Sequence, residues 1–137
     1  MALICDTGPL LAALDAADPD HEPCARLLLE SDEDLVVPAL VLAELDYWCA
    51  RRLPGQAWLM FLDDVVAGVY RVESPTPVDL ARCRTLQARY DDLTLGVVDA
   101  SVIALAERLG ESRIATLDQR HFRAVRPVHV ETLSLLP

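Results

Sequence analysis

Two hydrophobic patterns alternate along the chain. Short apolar runs, such as those that begin at Ala2 and Leu35, are typical of strands buried on both faces of a sheet. Between these runs, apolar residues recur every three or four positions, which is typical of helices with one buried face. The predicted strands span residues 2–5, 35–37, 69–72 and 113–117, with a further strand-like segment near 128–130. The predicted helices span residues 9–14, 22–30, 39–53, 56–67, 77–90 and 97–109.

The order of these elements predicts the fold class. Strands separated by helical crossovers form a mainly parallel sheet with helices on both faces, so we expect an α/β fold in three layers. A length of 137 residues suits a single domain spanning residues 1–137. The longest uninterrupted apolar stretch, residues 35–43, is too short to span a membrane, and the amino end lacks the pattern of a signal peptide. We therefore expect a soluble, cytoplasmic protein with no membrane partner.

Composition and charge exclude several classes of enzyme. The chain has 22 acidic residues against 12 basic ones, all of them arginine, and a formal net charge of -10. Without lysine there is no P-loop lysine, no Schiff base and no lysine to stabilise an aspartyl-phosphate. The five glycines are too scattered for a dinucleotide-binding turn. The four cysteines lack metal-ligand spacing and lie in apolar segments, so we expect them to be reduced and buried.

Two aspartates stand where predicted strands end. Asp6 follows the first buried run, and Asp118 closes the segment RIATLD near the carboxyl end of the chain. In a parallel sheet the working site lies at the carboxyl ends of the strands, so both aspartates are candidate site residues. The alternative is that each aspartate caps the helix or turn that follows it.

Glu44 lies on an apolar face of the predicted helix 39–53. A carboxylate in such a place must be paired, protonated or bound to a cation, because leaving it buried and unpaired costs several kcal/mol. The alternative is a salt bridge to Arg51, which shares the face but lies almost two turns away. The residues within about 60° of Glu44 around the helix are Leu40, Val41, Tyr47 and Trp48.

Asp99 lies on an apolar face of the predicted helix 97–109 in the same way. Leu95, Val102 and Ile103 share its side of the helix. The alternative is the ordinary preference for aspartate in the first turn of a helix, where the charge favours the helix dipole.

Four inward or strand-end carboxylates make sense together only if they converge on a cation. Like charges at close range raise one another's pKa and destabilise the fold, and a divalent cation removes that conflict. Carboxylate oxygens with room for water suit Mg²⁺ or Mn²⁺. His21, His121 and His129 are isolated in the sequence, and we expect each to be an ordinary surface or core histidine. A metal held by carboxylates is typical of phosphate-ester hydrolysis by an activated water.

The segments around these carboxylates resemble the PIN-domain family, and in particular the VapC-type toxins of bacterial toxin-antitoxin pairs. LICDTGPLLAAL is similar to the family's first strand, with Asp6 at the first acidic position and Thr7 after it. VPALVLAELDYW is similar to the segment that carries the family's glutamate, here Glu44. TLGVVDASVIALAERLG is similar to the helix with the third acid, Asp99. IATLDQRHF is similar to the strand that delivers the fourth acid, Asp118, with Thr116 two residues before it.

The resemblance implies a PIN-like fold with about five parallel strands and an Mg²⁺- or Mn²⁺-dependent endoribonuclease. The four carboxylates would be both metal ligands and catalytic residues, holding one or two ions that activate a water for attack on an RNA phosphodiester. Thr7 and Thr116 would support them as hydroxyls near the metal or the phosphate. The resemblance also implies a VapB-like antitoxin whose tail covers the acidic pocket, and a homodimer.

Substrate recognition and two rival functions stay open. Phosphate contacts must come from arginine in a chain without lysine, and the sequence does not rank the candidates. One rival is an aspartyl-phosphate enzyme of the haloacid-dehalogenase type, which needs a lysine and a second aspartate where this chain has Gly8. The other is a catalytically inactive PIN-like module whose acidic pocket holds a basic partner peptide. The candidate arginines are Arg82, Arg84, Arg89, Arg120 and Arg123.

Overall fold

A strand that is buried along its whole length forms the centre of the sheet. The computed structural model describes residues 1–137, and its first strand, β1, spans Ala2–Cys5. β1 pairs in parallel with β2 (Asp34–Pro38) on one side and with β4 (Arg113–Ala115) on the other. The edges are β3 (Arg71–Glu73) beside β2 and β5 (Ser134–Leu136) beside β4, so the five parallel strands have the order β3-β2-β1-β4-β5. The apolar run at the amino end therefore became the central strand, as its lack of polar residues predicts.

Seven helices connect and cover the strands. The helix α6 packs against the central strands β1 and β2 and against α3 and α5, while α1 packs against α2 and α3. This arrangement is the three-layer α/β/α fold with five parallel strands that the sequence predicts. The helices are α1 (Thr7–Leu14), α2 (His21–Glu30), α3 (Ala39–Arg52), α4 (Gly55–Val66), α5 (Pro77–Arg89), α6 (Val97–Leu109) and α7 (Gln119–Ala124).

Local signals in the sequence set several helix boundaries. α5 begins with a capping box, in which the Thr76 hydroxyl accepts the Asp79 N–H and the Asp79 carboxylate accepts the Thr76 N–H. α6 ends at Gly110, whose φ of 70° lies in the left-handed region that glycine adopts without strain. All four cysteines are buried and free, as predicted.

The carboxyl-terminal region departs from the predictions. The strand-like segment near residues 128–130 is irregular, and the last strand is β5, further along the chain. Val128 points outward and is 74% exposed, while the His129 ring lies 2.6 Å from the carbonyl of Glu111, so local contacts replace a ladder there. The short helix α7 was not predicted, because six residues give too little periodicity to recognise.

The order of the strands creates a crevice beside β1. The chain runs outward from β1 through β2 to β3 and then returns past β1 to form β4. The strand order thus reverses between β1 and β4, and ligands of parallel α/β sheets bind at such a switch point, beyond the carboxyl ends of the strands. Asp6 follows β1 and Asp118 comes three residues after β4. No helix of the structure combines the length and the apolar composition that crossing a bilayer needs.

Candidate functional site

Asp6 lies at the base of the crevice between β1 and β4. Its backbone N–H donates to the carbonyl of Ala115 at 2.9 Å, which extends the parallel ladder by one residue and fixes Asp6 beside Thr116. The Asp6 side chain accepts a hydrogen bond from the Thr116 hydroxyl at 2.9 Å, through Oδ2. Its other oxygen, Oδ1, is buried without a hydrogen-bond partner. Asp6 precedes α1 but its side chain does not cap that helix, so the capping alternative does not explain it.

Asp118 is held by the same threonine and by a histidine. Its backbone N–H donates to the Thr116 hydroxyl at 3.0 Å, so one hydroxyl connects the two strand-end aspartates. Asp118 Oδ1 accepts the His121 N–H at 3.4 Å and caps α7, while Oδ2 lies 2.5 Å from His121 Nδ1. Asp118 therefore does cap a helix, as the alternative interpretation predicts, but it uses only Oδ1 to do so.

Glu44 and Asp99 reach the same crevice from two helices. Glu44 lies at the rim, because the buried face of α3 is formed by its neighbours Val41, Leu45 and Cys49. This placement corrects the prediction that Glu44 stands in the middle of an apolar face. The alternative salt bridge does not form, since Arg51 instead stacks on Tyr47, with its guanidinium carbon 3.5 Å from the ring centroid. Asp99 enters from the first turn of α6 with its side chain 20% exposed.

The four carboxylates line one open cleft, which has a volume of about 520 Å³. Thr7 lines it too, and its buried hydroxyl oxygen has no hydrogen-bond partner. Gly8 lies where α1 approaches the β4–α7 loop, and a Cβ there would come within 3.2 Å of the Leu117 Cβ. A side chain at this position, such as the second aspartate that an aspartyl-phosphate enzyme needs, would require Leu117 to shift by a few tenths of an ångström. The residues lining the cleft are Asp6, Thr7, Gly8, Leu11, Glu44, Trp48, Arg52, Asp99, Leu117 and Asp118.

Burial and like charges raise the pKa of two of these groups. Burial raises the pKa of Asp6 from its usual 3.8 to about 6, and the charges of Glu44 and Asp118 add to the rise. Burial likewise raises the pKa of Asp99 to about 7, with Asp6, Asp118 and Glu44 adding to it. A carboxylate in the first turn of a helix is normally easier to ionise, so burial and the neighbouring carboxylates outweigh the helix dipole at Asp99.

His121 belongs to this site, contrary to the prediction of an isolated histidine. Its Nε2 donates to the carbonyl of Leu93 at 2.9 Å, and its Nδ1 faces Asp118 and also Asp99, at 3.6 Å. The carbonyl of Leu93 only accepts, so Nε2 carries a proton, and the hydrogen bond to Asp118 raises the pKa of His121 above its usual 6.5. The missed signal was the spacing of three residues from Asp118, which is one helical turn once α7 forms.

The arginine that lines the cleft is not among those proposed from the sequence. Arg82 forms two hydrogen bonds with Glu107, at 2.8 and 2.9 Å, so it is committed to the fold. Arg52 instead lines the cleft. The available signal was its position on α3, four residues after Trp48, which places Arg52 one turn beyond that cleft-lining ring. Arg84, Arg89, Arg120 and Arg123 are exposed and do not line the cleft.

The donor set of the cleft fits a hard divalent cation. A buried carboxylate oxygen without a partner, such as Asp6 Oδ1, lacks the compensation that burial of a charge requires, and a cation supplies it. Asp99, Asp118 and His121 each place a possible ligand atom within 4.8 Å of the others. His121 already makes hydrogen bonds to Asp118 and to the carbonyl of Leu93, so the donors that remain are carboxylate oxygens, which Mg²⁺ and Mn²⁺ prefer.

Comparison with known proteins identifies close relatives in sequence. A family model described as PIN domain matches residues 3–127. The chain is 35% identical to Ribonuclease VapC26 of Mycobacterium tuberculosis over 135 residues, which cover 98% of this chain and 100% of that protein.

Solved structures share the fold at lower sequence identity. One is VapC20 of Mycobacterium tuberculosis, described as a Sarcin-Ricin loop cleaving toxin, with a TM-score of 0.82 and 23% identity, covering 94% of this chain and 98% of that chain. Another is VapBC2 of Rickettsia felis bound to a DNA fragment from its promoter, with a TM-score of 0.70 and 15% identity, covering 98% of this chain and 97% of that one. Both likenesses show the fold alone.

We predict that Asp6→Asn stabilises the metal-free protein at pH 8. The folded state binds a proton at Asp6 up to about pH 6, whereas the unfolded chain releases it near 3.8, so ionising Asp6 costs stability as the pH rises through this window. Asparagine keeps the shape and removes the charge. In EDTA, urea denaturation should give a free energy of unfolding about 1–3 kcal/mol higher for the variant at pH 8, with a much smaller difference at pH 4.5.

Asp79→Asn is the matched control. Asp79 is equally buried, but it accepts hydrogen bonds from Arg108 Nε and from the Thr76 N–H, both at 2.9 Å. Its charge is therefore compensated, and the variant should lose stability at pH 8. If Asp6→Asn also lost stability at pH 8, that result would show that the buried charge of Asp6 is compensated in the metal-free protein.

We predict that Thr116→Val destabilises the protein more at pH 8 than at pH 4.5. Valine removes the hydroxyl that donates to the Asp6 carboxylate, and this bond favours the ionised form that exists at high pH. The extra loss should be about 1–2 kcal/mol by urea denaturation in EDTA. Thr116→Ser keeps the hydroxyl and should show equal losses at both pH values. Equal losses for valine as well would show that the hydroxyl does not act on the charge of Asp6.

Proposed function

Because the chain belongs to the PIN-domain family, in its VapC branch, we propose that it is an Mg²⁺- or Mn²⁺-dependent endoribonuclease that acts as the toxin of a toxin-antitoxin pair. The relative of 35% identity is named a ribonuclease, and it aligns over nearly the whole of both chains. The observation that carries the proposal is the convergence of Asp6, Glu44, Asp99 and Asp118 on one cleft at the switch point of the sheet. No structural demand of the fold explains four acids there, since their mutual repulsion costs stability.

We assign the metal to the carboxylate oxygens of these four residues. When bound, the metal would polarise the phosphate and lower the pKa of the attacking water. The chain's own groups prepare the site for it. The Thr116 hydroxyl donates to the Asp6 carboxylate and accepts the backbone N–H of Asp118, so one side chain bridges the two aspartates that follow the strands. Thr7, whose buried hydroxyl lacks a partner, is the candidate to contact the phosphate or an ordered water.

We propose that His121 positions the acidic residues of the site. It joins the carbonyl of Leu93, in the 3₁₀ turn Asp91–Leu93 before α6, to Asp118 in the segment after β4, so it connects the two segments that deliver Asp99 and Asp118. Its positive charge also lowers the pKa of Asp99 and partly offsets the other acids. This arrangement keeps the acids in place while the cation enters.

We further propose the assembly that the relatives suggest. Solved neighbours include VapBC2 of Rickettsia felis and a VapBC of Salmonella typhimurium, each described as bound to DNA, and a toxin-antitoxin complex of Klebsiella pneumoniae. By analogy this chain would pair with a VapB-like antitoxin and form a homodimer. It would act in the cytoplasm, with residues 1–137 as one domain.

Asp99→Asn should abolish RNA cleavage. Asparagine fits the space but removes one anionic ligand, so both metal binding and the field at the phosphate are weakened. We expect cleavage of total cellular RNA to fall by about a hundredfold or more in 5 mM MgCl₂, measured by the appearance of fragments. Asp46→Asn, on the exposed side of α3, is the control and should cleave at the parental rate. Cleavage by Asp99→Asn as fast as the parent would contradict the assignment.

Removal of divalent cations should abolish cleavage, and Mn²⁺ should restore it. Isothermal titration of Mn²⁺ into the protein should also give weaker binding at pH 5.5 than at pH 8, because protons compete for Asp6 and Asp99 below their raised pKa values. Cation binding without RNA cleavage would favour the inactive PIN-like module that holds a basic peptide. Cleavage in EDTA would contradict metal dependence.

A further inference from the structure

We propose that Arg52, held against Trp48, binds an RNA phosphate beside the one that is cleaved and so retains a polyanionic strand on an acidic protein. The inference rests on the proposed ribonuclease function and assigns an arginine to contact the RNA strand. Arg52 is the one basic residue that lines the cleft of the four carboxylates.

The helix α3 carries the three residues concerned at successive turns. Glu44, Trp48 and Arg52 are separated by four residues each, so each lies slightly more than one turn beyond the last and about 40° further round the helix axis. All three line the cleft. The rise of the helix puts about 12 Å between the backbone positions of Glu44 and Arg52. Arg52 therefore serves a phosphate further along the strand rather than the one at the carboxylates.

The guanidinium of Arg52 is preorganised and available. Its Cζ lies 4.9 Å from the centroid of the Trp48 ring, a cation–π contact that restricts the side chain without using its N–H groups. Five arginines of the chain are paired with carboxylates and seven are not. Of the seven unpaired arginines, Arg52 alone lines the cleft. An exposed arginine left unpaired in a chain of net charge -10 is a free anion-binding group.

The electrostatics of the cleft require such a group. The four carboxylates and the net charge repel an approaching phosphate, and a cation at the carboxylates offsets this only at the scissile position. A strand needs a second contact to stay in register, and arginine offers phosphate two N–H groups in a planar fork.

The preceding residue provides a matched comparison. Arg51 also stacks on the aromatic residue four positions before it, with its Cζ 3.5 Å from the Tyr47 centroid. It does not line the cleft, and it donates to the carbonyl of Tyr47 at 3.4 Å. The two arginines have the same charge and both stack on an aromatic ring, and they differ in their position relative to the cleft and in the hydrogen bond that Arg51 makes to Tyr47.

The test is binding of a fluorescein-labelled, single-stranded 12-nucleotide RNA, measured by anisotropy in the Asp99→Asn background so that the RNA stays intact. Arg52→Gln should weaken binding about tenfold, the effect of one lost charge-assisted contact. The slope of log K against log salt should become shallower by about 0.7, as for one phosphate contact with a single strand. Arg51→Gln should stay within about twofold of the background protein, with the slope unchanged.

Trp48 distinguishes positioning of Arg52 from a direct contact to RNA. Trp48→Leu should weaken binding as much as Arg52→Gln, the double variant should lose no more than either single one, and Trp48→Phe should retain most binding. Thermal unfolding checks that each variant is folded. Additive losses at Trp48 and Arg52 would overturn the positioning of Arg52 by Trp48.

The test of Arg52 can fail or succeed independently of the proposed ribonuclease activity. Equal binding by the Arg52→Gln and background proteins, or equal losses for Arg51→Gln and Arg52→Gln, would overturn the assignment of Arg52 even if the parent protein cleaves RNA. Binding that depends on Arg52, in a protein whose parent does not cleave RNA with Mn²⁺, would support the assignment and contradict the nuclease.

Discussion

Burial of an ionisable carboxylate at the centre of the sheet is the constraint on which the site depends. Asp6 is 5% exposed, one of its oxygens has no partner, and three further carboxylates share its cleft. Raising its pKa from 3.8 to about 6 corresponds to roughly 3 kcal/mol, a large fraction of the stability of a small domain. The fold carries this cost at neutral pH unless a cation compensates it, and we attribute the cost to function.

The topology of the sheet explains why the buried carboxylate is at Asp6. The most apolar strand, β1, is central and buried, so the residue that follows it is buried as well. Reversal of the strand order beside β1 opens the sheet edge between Asp6 and the end of β4, and the Thr116 hydroxyl bridges the aspartates on either side. Two helices then add Glu44 and Asp99, so the segments that follow two strands supply two of the acids and the helices supply the other two.

Much of the fold and two residues of the site could be predicted from the sequence, because the patterns that indicate them are local. The apolar run before Asp6 predicts a buried central strand, and the helical position of Asp99 predicts that it points inward. The sequence did not predict the roles of residues whose contacts depend on segments distant in the chain. His121 enters the site only because the unpredicted helix α7 turns it toward Asp118 and Leu93. Arg82 was a candidate until the fold paired it with Glu107, which lies 25 residues away in the chain.

The central claim is that the carboxyl groups of Asp6 and Asp99 are partly protonated near neutral pH and that they lose their protons when a cation binds. The most direct measurement is a pH titration of their side-chain carboxyl carbons by ¹³C NMR, with and without saturating Mg²⁺. We predict midpoints near 6 for Asp6 and near 7 for Asp99 without the metal, and a fall of both midpoints with it. Midpoints near 3.8 in the absence of metal, or midpoints that Mg²⁺ does not move, would contradict the claim.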